Sequence, residues 1–344
     1  MNLKKLVRPN IWELTPYSSA RHEFEGQADV LLDANENPME TGLNRYPDPL
    51  QRSLKALIAK EKKVEEDSIF LGNGSDEAID ILMRIFCRPG EDAIMTFPPT
   101  YGMYQVSADI ADVAVLSCPL SEDFQPVIER VEERLTSNTK MLFICSPNNP
   151  TGNLISNPAI EGLLQRFEGI IVIDEAYIDF SSSESWTNRL SAFPRLVVLQ
   201  TFSKAWGLAG IRLGMAFAHP NIIRLMNAVK PPYNVNQLTQ RRAIEVLRDH
   251  SEQTKEVIAL LVKERQRLTT SLKALASVVK IYPSDANFLL VRFKDHQMVF
   301  DALKQQGVIV RDRSNALGCR DCLRITVGTP AENDLVVKII KALT

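Results

Sequence analysis

Short apolar runs alternate with amphipathic stretches through residues 29 to about 250 of this chain. Four of these runs are almost continuously apolar: 92–96, 141–145, 170–173 and 196–199. Such runs are typical of strands buried on both faces of a sheet, because a half-exposed strand alternates apolar and polar residues. Helical patterns separate them, as at 78–86 and 127–135. The alternation predicts an α/β fold with a large, mostly parallel sheet that is covered by helices on both sides.

The pattern changes after Pro231 and Pro232. A long charged helix is predicted over 251–276, and shorter elements follow it: strands at 278–282, 287–291 and 323–327, and helices at 296–306 and 331–342. A chain of 344 residues is too long for one ordinary core. We therefore predict an N-terminal arm (1–28), a large domain (29–250) and a smaller α+β C-terminal domain (251–344).

The charge balance argues against several classes of partner. The chain has 40 basic and 42 acidic residues and no basic block, so neither nucleic acid nor an anionic membrane is an expected partner. No apolar stretch is long enough to span a bilayer, and the N-terminal segment lacks the apolar core of a signal peptide. Five scattered cysteines and no histidine cluster indicate a reduced, cytoplasmic chain without a metal site.

Lys204 directly follows the apolar run 196–199 and so lies at the mouth of a buried strand. Thr201 and Ser203 flank it, glycines follow, and Arg212 comes eight positions later. This setting suits a lysine that forms an imine with an aldehyde cofactor, while the hydroxyls and the arginine hold the phosphate of that cofactor. The alternative is a solvated loop lysine, which is the usual state of lysine.

Asp174 ends another buried run, 170–173. Pyridoxal 5′-phosphate (PLP) needs a carboxylate against its pyridine nitrogen, and the residues together predict a PLP site. Tyr177, three positions on, and Asn149, in the turn 146–152, are candidates to donate to the phenolate oxygen of PLP. The alternatives are a helix N-cap for Asp174, an ordinary half-buried tyrosine and a plain turn.

Two further segments fit this interpretation. Gly74, Ser75 and Asp76 precede a helical stretch, where backbone N–H groups and the helix dipole favour a phosphate. Tyr101 offers an aromatic face to stack on the cofactor ring. The alternatives are a capped helix start and core packing of the tyrosine. The GxGxxG and GxxxxGK[ST] motifs are absent from the sequence, which argues against a nucleotide-binding protein.

The chain resembles the fold-type-I aminotransferases, and within them the histidinol-phosphate group. The superfamily motifs are Asp-Glu-Ala-Tyr at 174–177, Ser-Lys at 203–204 and Gly-Ile-Arg-Leu-Gly at 210–214. The narrower resemblance lies in Thr-Pro-Tyr at 15–17 and Arg-Ile-Thr-Val-Gly-Thr at 324–329. Trp206 departs from the expected phenylalanine, and we expect this change to leave the chemistry intact.

This resemblance implies PLP-dependent transamination between histidinol phosphate and 2-oxoglutarate, in a homodimer with composite sites. It implies that Lys204, Asp174 and Tyr177 are catalytic. It further implies that Tyr46 reaches the cofactor phosphate of the other subunit and that Arg324 binds the acidic end of the amino donor. It also implies that Arg311 and Tyr17 help to hold the substrate phosphate. Two alternatives share the fold: an aromatic amino acid aminotransferase and a phosphothreonine decarboxylase.

Overall fold

The computed structural model describes residues 3–17 and 29–343, and its main element is a seven-stranded sheet. The strands are β1 Ile69–Asn73, β2 Ala93–Thr96, β3 Ala114–Ser117, β4 Thr139–Cys145, β5 Ile170–Asp174, β6 Leu196–Thr201 and β7 Leu213–Ala218. Their order is β1-β7-β6-β5-β4-β2-β3. β7 runs antiparallel to β1 and β6, whereas the pairs from β6 to β3 are parallel. The predicted large, mostly parallel sheet is confirmed.

Helices cover both faces of this sheet. They are α1 Pro9–Trp12, α2 Arg52–Lys62, α3 Gly74–Phe86, α4 Met103–Ile110, α5 Ile128–Arg134, α6 Asn157–Arg166, α7 Pro220–Val229 and α8 Gln237–Asp249. Successive residues of β6 enter opposite cores. Val198 belongs to the core that includes residues of α2 and α6, and Val197 belongs to the core that includes residues of α3 and α7. The two cores explain why the runs are continuously apolar, since neither face of the strands meets water.

A second, four-stranded sheet follows in the chain. Its elements are α9 Ser251–Lys273, β8 Val278–Ile281, β9 Phe288–Phe293, α10 His296–Gln305, β10 Arg311–Asp312, β11 Cys322–Thr326 and α11 Pro330–Lys341. The order is β10-β11-β9-β8, with antiparallel neighbours and a separate apolar core that includes Leu268, Val291 and Val336. The predicted α+β elements are confirmed to within a few residues. The domain boundary at residue 250 stays a prediction.

Part of the predicted N-terminal arm packs on the chain itself. Leu3 and Val7 are buried in the core that contains α3, and Arg8 donates its backbone N–H to the Ile85 carbonyl at 3.0 Å. Residues 1–2 and 18–28 of that arm lie outside the described residues. Short 3-10 helices complete the fold at Leu3–Lys5, Glu66–Ser68, Ile178–Phe180, Trp186–Arg189 and Ala209–Ile211. Within the described ranges, each helix is too short or too polar to cross a membrane.

The parallel strands β4, β5 and β6 bring their carboxyl ends to one edge of the large sheet. Cys145 at the end of β4 pairs with Asp174 at the end of β5, and Asp174 pairs with Leu199 of β6. Side chains that follow these ends therefore meet outside the same edge, which is the usual location of ligand sites in open α/β sheets.

Candidate active site

A cavity of about 700 Å³ lies at this edge and gathers most of the site residues predicted from sequence. Those that line it are Gly74, Ser75, Asp76, Tyr101, Asn149, Asp174, Tyr177, Thr201, Ser203, Lys204, Arg212, Arg311 and Arg324. The strand residues among them come from both sheets, Asp174 and Thr201 from the large one and Arg311 and Arg324 from the small one. The cavity therefore lies where the β10–β11 ribbon meets the carboxyl ends of the parallel strands.

Lys204 lies just beyond β6 and reaches into the cavity. Its Nζ is 5.7 Å from the centroid of the Tyr177 ring. The loop that carries it is held by Thr201, whose Oγ1 accepts the Ser203 backbone N–H at 3.1 Å and donates to the Leu213 carbonyl at 3.2 Å. Partial burial, and then the charge of Arg324, lower the pKa of the Lys204 amine. A larger fraction of this amine is therefore neutral near pH 7 than in a solvated lysine, and only the neutral amine can act as a nucleophile or a base.

Asp174 is the last residue of β5 and is 2% exposed. Its Oδ2 accepts the Tyr104 hydroxyl at 2.7 Å, and its Oδ1 accepts the Ala176 backbone N–H at 3.1 Å. Burial raises the pKa of this carboxyl to about 6, and the two hydrogen bonds oppose that rise. Within 3–17 and 29–343 the carboxylate has no ion pair, so a protonated ring nitrogen fits as its counter-charge.

The opposite end of the cavity suits a phosphate. Gly74 begins α3 with φ +74°, and a Cβ there would lie 2.8 Å from Arg212 Nη2. The backbone of Arg212 also has a left-handed conformation, and its carbonyl accepts the Gly74 N–H at 2.8 Å. The Nη1 of Arg212 lies 3.5 Å from Ser203 Oγ. Asp76 Oδ2 is 3.9 Å from Arg212 Nη2. A helix N-terminus, a hydroxyl and a guanidinium thus converge in a space that only glycine leaves open.

Asn149 and Tyr177 connect the cofactor side of the cavity to the second sheet. Arg324 donates from Nη1 to Asn149 Oδ1 at 2.6 Å, which orients the Asn149 amide N–H groups away from that contact. The Arg324 Cζ lies 5.2 Å from the ring centroid of Phe288, and Tyr177 packs edge-on against the same ring at 5.2 Å. The residue predicted to bind substrate is therefore held by two contacts before any substrate arrives.

Neither Arg313 nor Tyr104 was predicted as a site residue. Arg313 lines the cavity beside Arg311, and its Nε is buried without a hydrogen-bond partner in the part of the chain that the structure describes. The sequence did indicate it, because Arg313 is two positions from Arg311 and residues at i and i+2 of an extended segment point to the same side. Tyr104 is fully buried against Asp174. Its three-residue spacing from Tyr101 at a helix start was the available signal.

Three residues singled out from sequence lie elsewhere. Tyr17 is 77% exposed and lines a different cavity, with Trp12 and Pro49. Tyr46 is half exposed and stacks on Tyr233, with ring centroids 4.3 Å apart. Neither tyrosine lines the Lys204 cavity of its own chain, and their predicted roles stay predictions. Trp206 packs against Phe202, at 5.3 Å between centroids, and also lies outside that cavity.

Comparison with known proteins decides the family. The family model for aminotransferase class I and II matches residues 20–340. The chain belongs to the class I and II aminotransferase family. Histidinol-phosphate aminotransferase of Parabacteroides distasonis is 53% identical to this aminotransferase over 340 residues, covering 99% of this chain and 98% of that protein. The predicted resemblance to the fold-type-I aminotransferases is confirmed.

Solved structures agree with this assignment of the fold. The histidinol-phosphate aminotransferase of Clostridium acetobutylicum superposes on this aminotransferase with a TM-score of 0.80 at 26% identity, covering 88% of this chain and 91% of that chain. An L-threonine-O-3-phosphate decarboxylase from Porphyromonas gingivalis gives a TM-score of 0.73 at 25% identity over the same shares of both chains. The fold is therefore shared by enzymes of both activities, and it does not select the substrate.

Proposed function

We propose that this aminotransferase uses PLP to move an amino group between histidinol phosphate and 2-oxoglutarate, giving imidazole-acetol phosphate and glutamate, as a step of histidine biosynthesis in the cytoplasm. The observation that carries the proposal is a single cavity that holds the Lys204 amine and the buried Asp174 carboxylate. Besides Arg212 at its phosphate end, the cavity is lined by three further arginines, Arg311, Arg313 and Arg324. None of these arginines forms an ion pair with a described acidic residue. The 53% identity to the Parabacteroides histidinol-phosphate aminotransferase supports the choice of substrate.

The residues that would hold PLP are those of the two ends of the cavity. Gly74, Ser75, Ser203 and Arg212 would bind its phosphate, and Asp174 would face its ring nitrogen. When bound, PLP supplies an electron-withdrawing ring that stabilises negative charge on the substrate carbon. Tyr101 closes one wall of the cavity and donates to Asp76 Oδ1 at 3.2 Å, which holds its ring in place.

Lys204 is the residue placed to move a proton. Because its pKa is lowered, a larger fraction of the amine is neutral near pH 7 than in a solvated lysine. The neutral amine takes the proton from the substrate carbon that bears the amino group, and the resulting ammonium returns a proton later in the cycle. The Tyr177 ring centroid lies 5.7 Å from Nζ, which is close enough for a cation–π contact with this ammonium.

The arginines suit a substrate pair in which each member is a multiple anion. Arg311, Arg313 and Arg324 converge on the cavity, where the phosphate of histidinol phosphate and the carboxylates of 2-oxoglutarate would accept several charge-assisted hydrogen bonds. A phenylalanine substrate would leave part of this cationic set without an anion. The arrangement thus favours histidinol phosphate over an aromatic amino acid.

We also propose a homodimer with composite sites. Tyr46 and Tyr17 are exposed and lie outside the Lys204 cavity of their own chain, so the roles expected of them require a second copy. Exposed apolar side chains in the same region, including Leu32, Met39 and Leu43, supply a surface for that contact. Sedimentation of the holoenzyme tests the dimer, and wild-type activity from a monomer would contradict it.

A substrate comparison tests the reaction. We expect kcat/KM for histidinol phosphate to exceed that for phenylalanine by at least about 100-fold, because phenylalanine would leave the half-buried Arg313 or Arg324 without an anionic partner. A preference for phenylalanine would assign an aromatic amino acid aminotransferase instead. Release of CO₂ from phosphothreonine would assign a decarboxylase. Lys204→Ala should abolish turnover yet still bind PLP, whereas the exposed Lys294→Ala should behave as wild type.

A further inference from the structure

Tyr104 is a buried tyrosine that the reaction described above does not use. Its side chain is 0% exposed, although it carries a hydroxyl. The ring stacks on Phe143 with centroids 4.9 Å apart and an interplanar angle of 26°. The Tyr101 ring meets it edge-on at 5.5 Å. The hydroxyl donates to Asp174 Oδ2 at 2.7 Å, so α4 delivers one hydrogen-bond donor to the end of β5.

We propose that Tyr104 is a positioning residue that holds Asp174 in its ionised form and in one orientation. In the loaded enzyme, Asp174 would then face the ring nitrogen of PLP as an anion. This part of the proposal rests on the proposed function. The effect on Asp174 itself is a property of the protein without PLP. The two parts can therefore be tested separately.

The surroundings of Asp174 explain why this donor matters. Burial disfavours the carboxylate and raises its pKa to about 6, and the Tyr104 hydrogen bond is the largest effect in the opposite direction. The Ala176 N–H is the second favourable contact. The titratable groups that face or influence this site are Asp76, Tyr101, Cys145, Tyr177 and Lys204. Of these, Lys204 is the cation, and Asp76 opposes it.

The hydroxyl acts as a donor over the whole working range of pH. Burial, and then the charge of Asp174, raise the pKa of Tyr104 well above its ordinary value. The phenol therefore stays protonated while Asp174 titrates. A hydrogen bond to a charged acceptor is about twice as strong as one between neutral groups. The contact is thus worth more when Asp174 is ionised than when it is protonated.

Tyr104→Phe tests this asymmetry in the apoprotein, because it keeps the ring between Phe143 and Tyr101 and removes only the hydroxyl. The measurement is the fall in Tm relative to wild type at pH 5 and at pH 8. We expect the fall to be about twofold larger at pH 8, where Asp174 is ionised. Equal falls at both pH values would mean that the hydroxyl stabilises the protonated and the ionised Asp174 carboxyl equally, and would overturn the proposal.

An Asp174→Asn background is the matched control. With asparagine at 174 no titration occurs there, so Tyr104→Phe should cost the same at pH 5 and pH 8. A pH-dependent cost that persists in this background would assign the effect to another group and would contradict the proposal. Neither measurement uses PLP or substrate, so a failure of the proposed function would not alter them.

The loaded enzyme gives a second readout. For Tyr104→Phe we expect kcat with histidinol phosphate to fall about tenfold or more, with little change in KM, because the lost contact supports Asp174 and not the substrate. The acidic limb of the kcat profile should move to higher pH. If the kcat profile is unchanged while the Tm effect depends on pH, Tyr104 interacts with the ionised Asp174 but this interaction has no role in the reaction.

Discussion

Arg311 and Arg324 lie directly opposite each other on β10 and β11, as Cα partners of an antiparallel pair. Like charges in this position destabilise a sheet, and a neutral pair would be the more stable choice. Both residues line the Lys204 cavity, together with Arg313. An anion bound between them would relieve this repulsion, so we expect the pair to bind a phosphate or a carboxylate.

Inorganic phosphate should therefore stabilise the apoprotein. A ligand at 100 times its Kd adds about 2.7 kcal/mol to the free energy of unfolding, so we expect a clear rise in Tm with phosphate concentration. Arg311→Gln should reduce this rise. The matched control is Arg320→Gln, because the side chain of Arg320 is 91% exposed and outside the cavity. The same phosphate response in all three proteins would place phosphate elsewhere.

Arg313→Gln should weaken the binding of histidinol phosphate. A hydrogen bond to a charged group contributes about 1.5–3 kcal/mol, which corresponds to a rise in KM of about tenfold or more. Turnover at saturation should change less, because Arg313 touches neither Lys204 nor Asp174 through a hydrogen bond or ion pair in the described residues. Steady-state kinetics check this, and an unchanged KM would remove Arg313 from the substrate site.

Asp174→Asn should stabilise the apoprotein at pH 8 while it abolishes transamination. The pKa of the native carboxyl is raised from 3.8 to about 6, so its contribution to stability is fully present below about pH 4 and is lost as pH rises through 6. The loss amounts to about 3 kcal/mol. The Tm gain of the variant should thus grow from pH 5 to pH 8. The exposed Asp123→Asn is the control, and a gain independent of pH would be the contrary result.

Gly74→Ala should impair both folding and PLP binding. Its φ of +74° costs an L-residue about 1–2 kcal/mol, and the added Cβ would lie 2.8 Å from Arg212 Nη2. Gly307→Ala is a matched control, because its φ is also positive, at +77°, an added Cβ there meets nothing within 4 Å, and the residue lies outside the cavity. Chemical denaturation and PLP titration measure the two effects. A variant at position 74 with wild-type PLP affinity would exclude this turn from the phosphate site.

Much of the large sheet could be predicted from residue pattern. The runs around β2, β4, β5 and β6 were recognisable because burial on both faces leaves a continuous apolar signal. β3 was not individually predicted, since it lies at the edge of the sheet with half-exposed residues and gives a weaker signal. The antiparallel direction of β7 could not be predicted, because an apolar run carries no information on the direction of its strand.

The contacts of Tyr104 and Arg313 could not be predicted from the pattern of residues along the chain. Each residue belongs to a segment that could be identified, yet nothing in its neighbours along the chain indicates that Tyr104 meets Asp174 or that Arg313 shares a cavity with Arg324. Such meetings depend on the packing of α4 and of β10 against other elements, which is a property of the whole fold.

The sequence by itself determined the alternation of strands and helices and the positions of Lys204 and Asp174 at strand ends, because burial and backbone preference act over neighbouring residues. Only the tertiary structure decided which ends meet. A buried strand can bury its apolar side chains equally well beside any other buried strand. The order β1-β7-β6-β5-β4-β2-β3 is therefore selected by the packing of the whole fold. That order brings the residues of two sheets to one cavity, where their charges alter one another's proton affinity.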